Sequence, residues 1–126
     1  AREWSAIRVV GKVTAQVAEL LGLAAPVNPN IYLGDSNLEH MRSSHPSDFA
    51  KYGTELINIL AYPDYVGTNP TDSSIEYVKE FLIDGEYVKV AVRLSGRGVY
   101  FARSLYVLNP RRVSNYIAKG TLKKID

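Results

Sequence analysis

The sequence contains no cysteine, one methionine and one tryptophan among 126 residues. Without thiols there is no disulfide, no thiolate zinc site and no cysteine nucleophile, so stability has to come from packing. The missing cysteines leave the compartment open, because a domain that crosses a membrane unfolded also gains from having no thiol to misoxidise. No apolar run approaches the roughly 18 residues of a spanning helix, and the opening AREWSAIRVV lacks the layout of a secretory signal. Charge of one sign is scarce too: 15 Lys and Arg against 13 Asp and Glu leave +2, so an anionic partner has to be met by a local patch. What remains is an ordinary globular composition, 46% hydrophobic and 22% charged, at a length that suits a single domain over 1–126. The chain begins without methionine, as expected of a C-terminal fragment of a longer protein.

Apolar residues at Val9, Val10, Val13, Val17, Leu20 and Leu21 fall at helical spacing, and Gly22 stands as a stop, so a first helix is predicted over 9–23. A short strand is predicted over 31–33, then a helix through NLEHMRSS capped by Asp35 or Ser36, then a longer one that Pro46 opens and that runs to 61. PDYVGTNPTDSS reads as loop. Period-two alternation over 75–83, 86–94 and 99–108 predicts an antiparallel meander, and NPRRVSNYIAKG closes the chain as a helix capped by Asn109. The fold class expected is α+β: N-terminal helices packed on one face of a small antiparallel β-meander, with a short C-terminal helix.

With turns centred on Asp84-Gly85 and Gly96-Arg97, alternation sorts the meander into two faces. One is apolar, with Ile75, Tyr77, Phe81, Val88, Val90, Val92, Leu94, Val99, Phe101, Leu105 and Val107. The other holds Glu76, Glu80, Tyr87, Lys89, Arg93, Tyr100, Ser104 and Tyr106, with Glu80 opposite Lys89, Glu76 opposite Arg93 and Lys89 opposite Ser104. Such a face is often only a solvated surface with cross-strand ion pairs. Tyrosines interleaved with cations are also what holds stacked bases and phosphates. This register sets Lys79 and Arg103 on the apolar face, where each has to be paired or reach out to water.

Both histidines lie in one helical corner, EHMRSSHPSD. His40 and His45 are five apart, which is neither metal-ligand spacing on one helix face nor an HExxH pattern, so no metal is expected. Imidazoles titrating near neutrality suit general acid and base work, the pair that RNA transesterification needs. Lys89 and Arg93 would then stabilise charge on the phosphate and Ser104 and Tyr106 would orient it, with Glu76 as an alternative base. Taken singly, each histidine also fits a plain role: His45 stiffening the corner before Pro46, His40 lying on the surface. A module that binds RNA or protein with the same face but cleaves nothing, or an inhibitor docking through its tyrosines, fits the same composition.

The segments NLEHMRSSHPSDF, ILAYPDYVG, SIEYVK, VKVAVR and ARSLY, spread from about Lys12 to the C-terminus, resemble the phage-associated branch of the barnase/EndoU/colicin/RelE nuclease superfamily. The resemblance implies helices packed on an antiparallel sheet and metal-independent endonucleolytic cleavage of RNA, tRNA included, with no cofactor. It carries catalytic roles onto His40, His45, Lys89, Arg93, Ser104 and Tyr106. Lys79, Glu76, Tyr87, Tyr100 and Arg103 are expected to bind substrate. Ser104 keeps a hydroxyl where threonine would hold it in a narrower rotamer range. The resemblance further implies a toxin domain of bacterial competition, secreted or delivered into a target-cell cytoplasm and neutralised by a cognate immunity protein, or else a cytoplasmic phage or mobile-element protein.

Overall fold

The computed structural model describes residues 6–126; the first five positions of the expected 1–126 domain lie outside the described residues. Among the described residues seven strands form one sheet: β1 (Ile7–Lys12), β2 (Asn30–Gly34), β3 (Tyr65–Thr68), β4 (Ile75–Phe81), β5 (Glu86–Leu94), β6 (Tyr100–Leu108) and β7 (Leu122–Lys124). Their spatial order is β1-β2-β6-β5-β4-β3-β7, antiparallel except where β2 meets β6. The helices are α1 (Ala15–Leu20), α2 (Asp35–Ser44), α3 (Pro46–Tyr52), α4 (Leu56–Ala61) and α5 (Pro110–Ala118), with a 3₁₀ turn over Gly53–Glu55. Among the described residues no helix is long and apolar enough to cross a membrane.

The class is α+β, but the N-terminal order differs from the expectation. Residues 9–23 are not one helix: β1 takes their first part, and α1 begins only after Thr14, whose hydroxyl accepts from Val17 N at 3.2 Å. The β-branched run Ile7, Val9 and Val10 fits a pleated surface better than a helix, and β2 supplies the pairing. Gly22, at φ +69°, ends α1 as expected. The predicted helix to 61 breaks at Gly53. Tyr65–Thr68, expected as loop, forms β3 against β4.

Val17, Met41, Tyr52, Leu56, Ile59 and Leu60 from α1 to α4 pack on Tyr77, Val88, Val90, Val92 and Leu105, so these helices cover one sheet face. Tyr52 and Lys51 also tie α3 to β5: both donate to Glu86 Oε1, at 2.6 and 2.8 Å. Burial, with the Glu86 carboxylate beside it, pushes the Tyr52 phenol up to about 12. On the opposite face, Val113 of α5 joins Val78, Leu108 and Leu122 in a smaller cluster, with Tyr65, Tyr87 and Tyr106 packed against it, that reaches from β7 across to the C-terminal end of β6.

Both turns are longer than two residues, and the consequences differ. Phe81 pairs with Glu86 across a four-residue loop closed by Gly85 at φ +64°. Pairing slips by two positions: Glu80 faces Tyr87, and Lys89 faces Val78. A slip of two keeps every side chain on its expected face. At the second turn Leu94 pairs with Tyr100, a slip of one, and a bulge opposite Ala91/Val92 then restores the parity. Between turn and bulge the faces are exchanged. Tyr100 packs into the core, Phe101 joins Arg93 on the opposite face, and Arg103, the extra residue, is exposed rather than buried.

Gly67 marks a close approach of the chain at the sheet edge. A Cβ there would collide with the Thr121 carbonyl oxygen just before β7. Gly67→Ala is therefore expected to detach β7 and lower stability by about 1–3 kcal/mol, measurable by urea unfolding.

Candidate active site

Beyond its short pairing with β2, the second half of β6 pairs with no further strand on that edge among the described residues, and the α2–α3 corner docks there. Asp48, in the first turn of α3, accepts the Val107 backbone N–H at 3.0 Å. That bond ties the corner to the strand and carries His45, the junction residue, round the edge to the face opposite the main core. There the His45 ring stacks on Tyr106, with centroids 4.6 Å apart and 24° between planes. Asp48→Ala is expected to loosen the corner from β6 and to cost about 1.5–3 kcal/mol in stability, read by urea unfolding, because the charged acceptor of a partly buried backbone N–H is lost.

Tyr106 lies directly opposite Lys89, whose ammonium sits 4.7 Å from the Tyr106 ring centre. Lys89 is 8% exposed and pairs with Glu76, itself 5% exposed, at 2.9 Å. Asn69 donates to the same Glu76 oxygen at 3.1 Å. Burial pulls the Lys89 pKa down, but Tyr106 and Glu76 together outweigh it and leave a net rise. The lysine is therefore a fixed cation with further N–H groups beyond the one given to Glu76.

Ser104 lies one row along the same face, opposite Ala91, and Arg93 lies one row further, opposite Phe101. Asp72 faces this end from the β3–β4 loop. Its carboxyl is held low by the Ser74 backbone N–H and hydroxyl, then by the charges of Arg93 and Lys89. His40, exposed on α2, lines with Arg103 and Phe101 a shallow depression of about 480 Å³ floored by Gly34. Its Nε2 lies 3.4 Å from Ser44 Oγ.

Most of the expected residues thus share one face: His45, Tyr106, Lys89, Glu76 and Ser104 at its centre, with Arg93, Arg103 and His40 toward β2. Three depart from it. Lys79 points to the helix-covered side and donates to the Tyr62 carbonyl at 2.8 Å. Tyr100 belongs to the core, and Tyr87 is packed into the α5 cluster, where burial first and Glu80 second raise its pKa; Tyr106 also touches that cluster but meets His45 and Lys89 as well. Sequence reasoning missed Asn69 and Asp48, whose roles depend on contacts 7 and 59 residues away. It also missed Tyr32, which joins Phe101 across the β2–β6 pair. Among the described residues, no group of three or more His, Asp and Glu side chains is placed to hold a metal ion.

Charge follows the same division. The stretch from Tyr87 to Ile125 carries nine Lys and Arg and no Asp or Glu. It supplies β6, α5, β7 and all of β5 after Glu86, so the acids near the cations of the open face, Glu76 and Asp72, come from β4 and the loop before it.

No curated protein and no solved structure matches the chain. A family model does: the one described as phage-Barnase-EndoU-ColicinE5/D-RelE like nuclease3 matches residues 8–115, from β1 into α5, and so spans every residue of the central cluster. The chain therefore belongs to this phage-associated nuclease family.

Proposed function

We propose that this nuclease is an endoribonuclease that cleaves RNA by metal-independent attack of a ribose 2′-OH on the adjacent phosphate. The observation that carries the proposal is the His45 imidazole stacked on Tyr106 beside the buried Lys89, on an open face that also bears Ser104. One imidazole takes the 2′-OH proton as the O2′–P bond forms. The second gives a proton to O5′ as the P–O5′ bond breaks, leaving a 2′,3′-cyclic phosphate and a 5′-hydroxyl. His45 takes one role and His40 the other.

Lys89 stabilises the charge that grows on the phosphate oxygens, with Arg93 and Arg103 neutralising the flanking backbone. Ser104 and Tyr106 orient phosphate and ribose by hydrogen bonds. Glu76 is better suited to positioning than to taking a proton, because Lys89 and Asn69 already claim its carboxylate. Family membership extends the proposal to a toxin domain, delivered into a target cell and held by an immunity protein; a phage or mobile-element protein acting in the cytoplasm is the other setting.

Incubation with total RNA in excess chelator across pH 5–9 tests the chemistry. Cleavage at neutral pH is expected. Intact RNA at every pH, with salt-sensitive RNA binding retained, would instead assign the face to a binding module.

A further inference from the structure

Two aromatic rings on the open face belong to neither hydrophobic cluster. Tyr32 of β2 and Phe101 of β6 are paired across the parallel strands, with ring centres 6.1 Å apart and planes inclined at 46°. Their sequence neighbours Ile31, Leu33, Tyr100 and Ala102 all pack into the main core, whereas Tyr32 and Phe101 pack into neither cluster and remain half-exposed. The α5 cluster takes in Tyr106 and Leu108 of β6 but neither of these rings, and Phe101 instead borders the depression that it shares with His40 of α2 and Arg103.

The rings are held in place rather than loosely displayed. Asn28 and Asn30 both donate side-chain amides to the Tyr32 hydroxyl, at 3.3 and 3.4 Å. Phe101 reaches this face only because the second turn slips by one residue and the Arg103 bulge absorbs the change. Bulges of this kind re-aim side chains beside functional sites.

The surroundings identify the occupant. Arg93 lies directly opposite Phe101, and Arg103 is exposed beside it. Neighbouring strands lie about 4.8 Å apart and same-face residues along a strand about 6.8 Å apart, so the aromatic row adjoins the Ser104 row within the span of one nucleotide. A π-surface flanked by guanidinium groups and continuous with a phosphate site is complementary to an unstacked base on an anionic backbone.

We propose that Tyr32 and Phe101 form the platform on which an unpaired nucleobase next to the scissile phosphate stacks, with Arg93 and Arg103 holding its backbone. This specificity site rests on the RNA-cleavage proposal for its neighbour but is tested apart from it.

Short single-stranded 2′-O-methyl oligonucleotides cannot be cleaved through O2′, and 2-aminopurine placed at each position in turn reports stacking by quenching. The wild-type chain is expected to quench one position. Phe101→Leu and Tyr32→Leu keep apolar volume but remove the ring; each is expected to lose that quench and bind about tenfold more weakly. Phe101→Trp, which restores a ring, is expected to recover both, showing that the leucine effects are not misfolding. An abasic nucleotide at the quenched position should weaken the wild type by the same factor and leave Phe101→Leu unchanged.

Full quenching and wild-type affinity in both leucine variants would overturn the platform. So would binding without quenching at any position, or no binding at all. A chain that cleaves RNA without stacking rejects the platform alone. One that stacks but leaves RNA intact rejects the cleavage chemistry alone.

Discussion

Replacing His45 by alanine is expected to lower RNA cleavage by about 10²–10⁴-fold while leaving the chain folded. The imidazole is half-buried against Tyr106, and the corner that carries it stays tied to β6 through Asp48. His45→Phe separates chemistry from packing, since phenylalanine can stack on Tyr106 but cannot exchange a proton. Both variants should lose one limb of the pH–rate profile, and His45→Phe should melt close to wild type. A histidine that only stiffened the corner would give the opposite pattern, with activity preserved in His45→Phe and stability lost in His45→Ala.

The second large effect concerns the buried ion pair. Lys89→Ala leaves the Glu76 carboxylate enclosed with Asn69 as its remaining partner, and removing one member of such a pair typically destabilises by about 3–5 kcal/mol. A fall in melting temperature of about 10 °C or more follows. Lys89→Met combined with Glu76→Gln removes both charges and should recover much of that loss without restoring cleavage. The alkaline limb gives an independent check. The folded Lys89 pKa is raised above its ordinary 10.5, so its contribution is complete below that pH and disappears as pH rises through the higher folded value. Lys89→Met should flatten stability in that window; an unchanged alkaline slope would show that the pair contributes nothing there.

The open face was legible in the sequence because strand parity survives errors of two. The β4–β5 pairing was misplaced, yet Glu76, Lys89 and Arg93 kept their side, since a two-residue slip preserves alternation. The second turn slipped by one, and a bulge cancelled the error only beyond Arg103. Ser104 and Tyr106 were therefore placed correctly while Tyr100 and Phe101 were exchanged. Alternation carries no mark of where an extra residue is absorbed.

The N-terminal strand was hidden for a different reason. Its partner β2 lies across α1, and an apolar run with valines at several helical spacings does not announce a distant partner. The corner histidines were visible as residue types, but what aims His45 at Tyr106 is the docking of the corner on β6, through the Val107–Asp48 bond and the packing of Met41 and Phe49, which no local pattern encodes.

The most direct measurement is end-group analysis of RNA fragments produced by the wild-type chain in excess chelator. Attack by the 2′-OH gives 2′,3′-cyclic phosphate and 5′-hydroxyl ends, with no cut at a linkage whose 2′-OH is replaced by hydrogen. Fragments bearing 5′-phosphate and 3′-hydroxyl ends, or equal cleavage at the 2′-deoxy linkage, would contradict it.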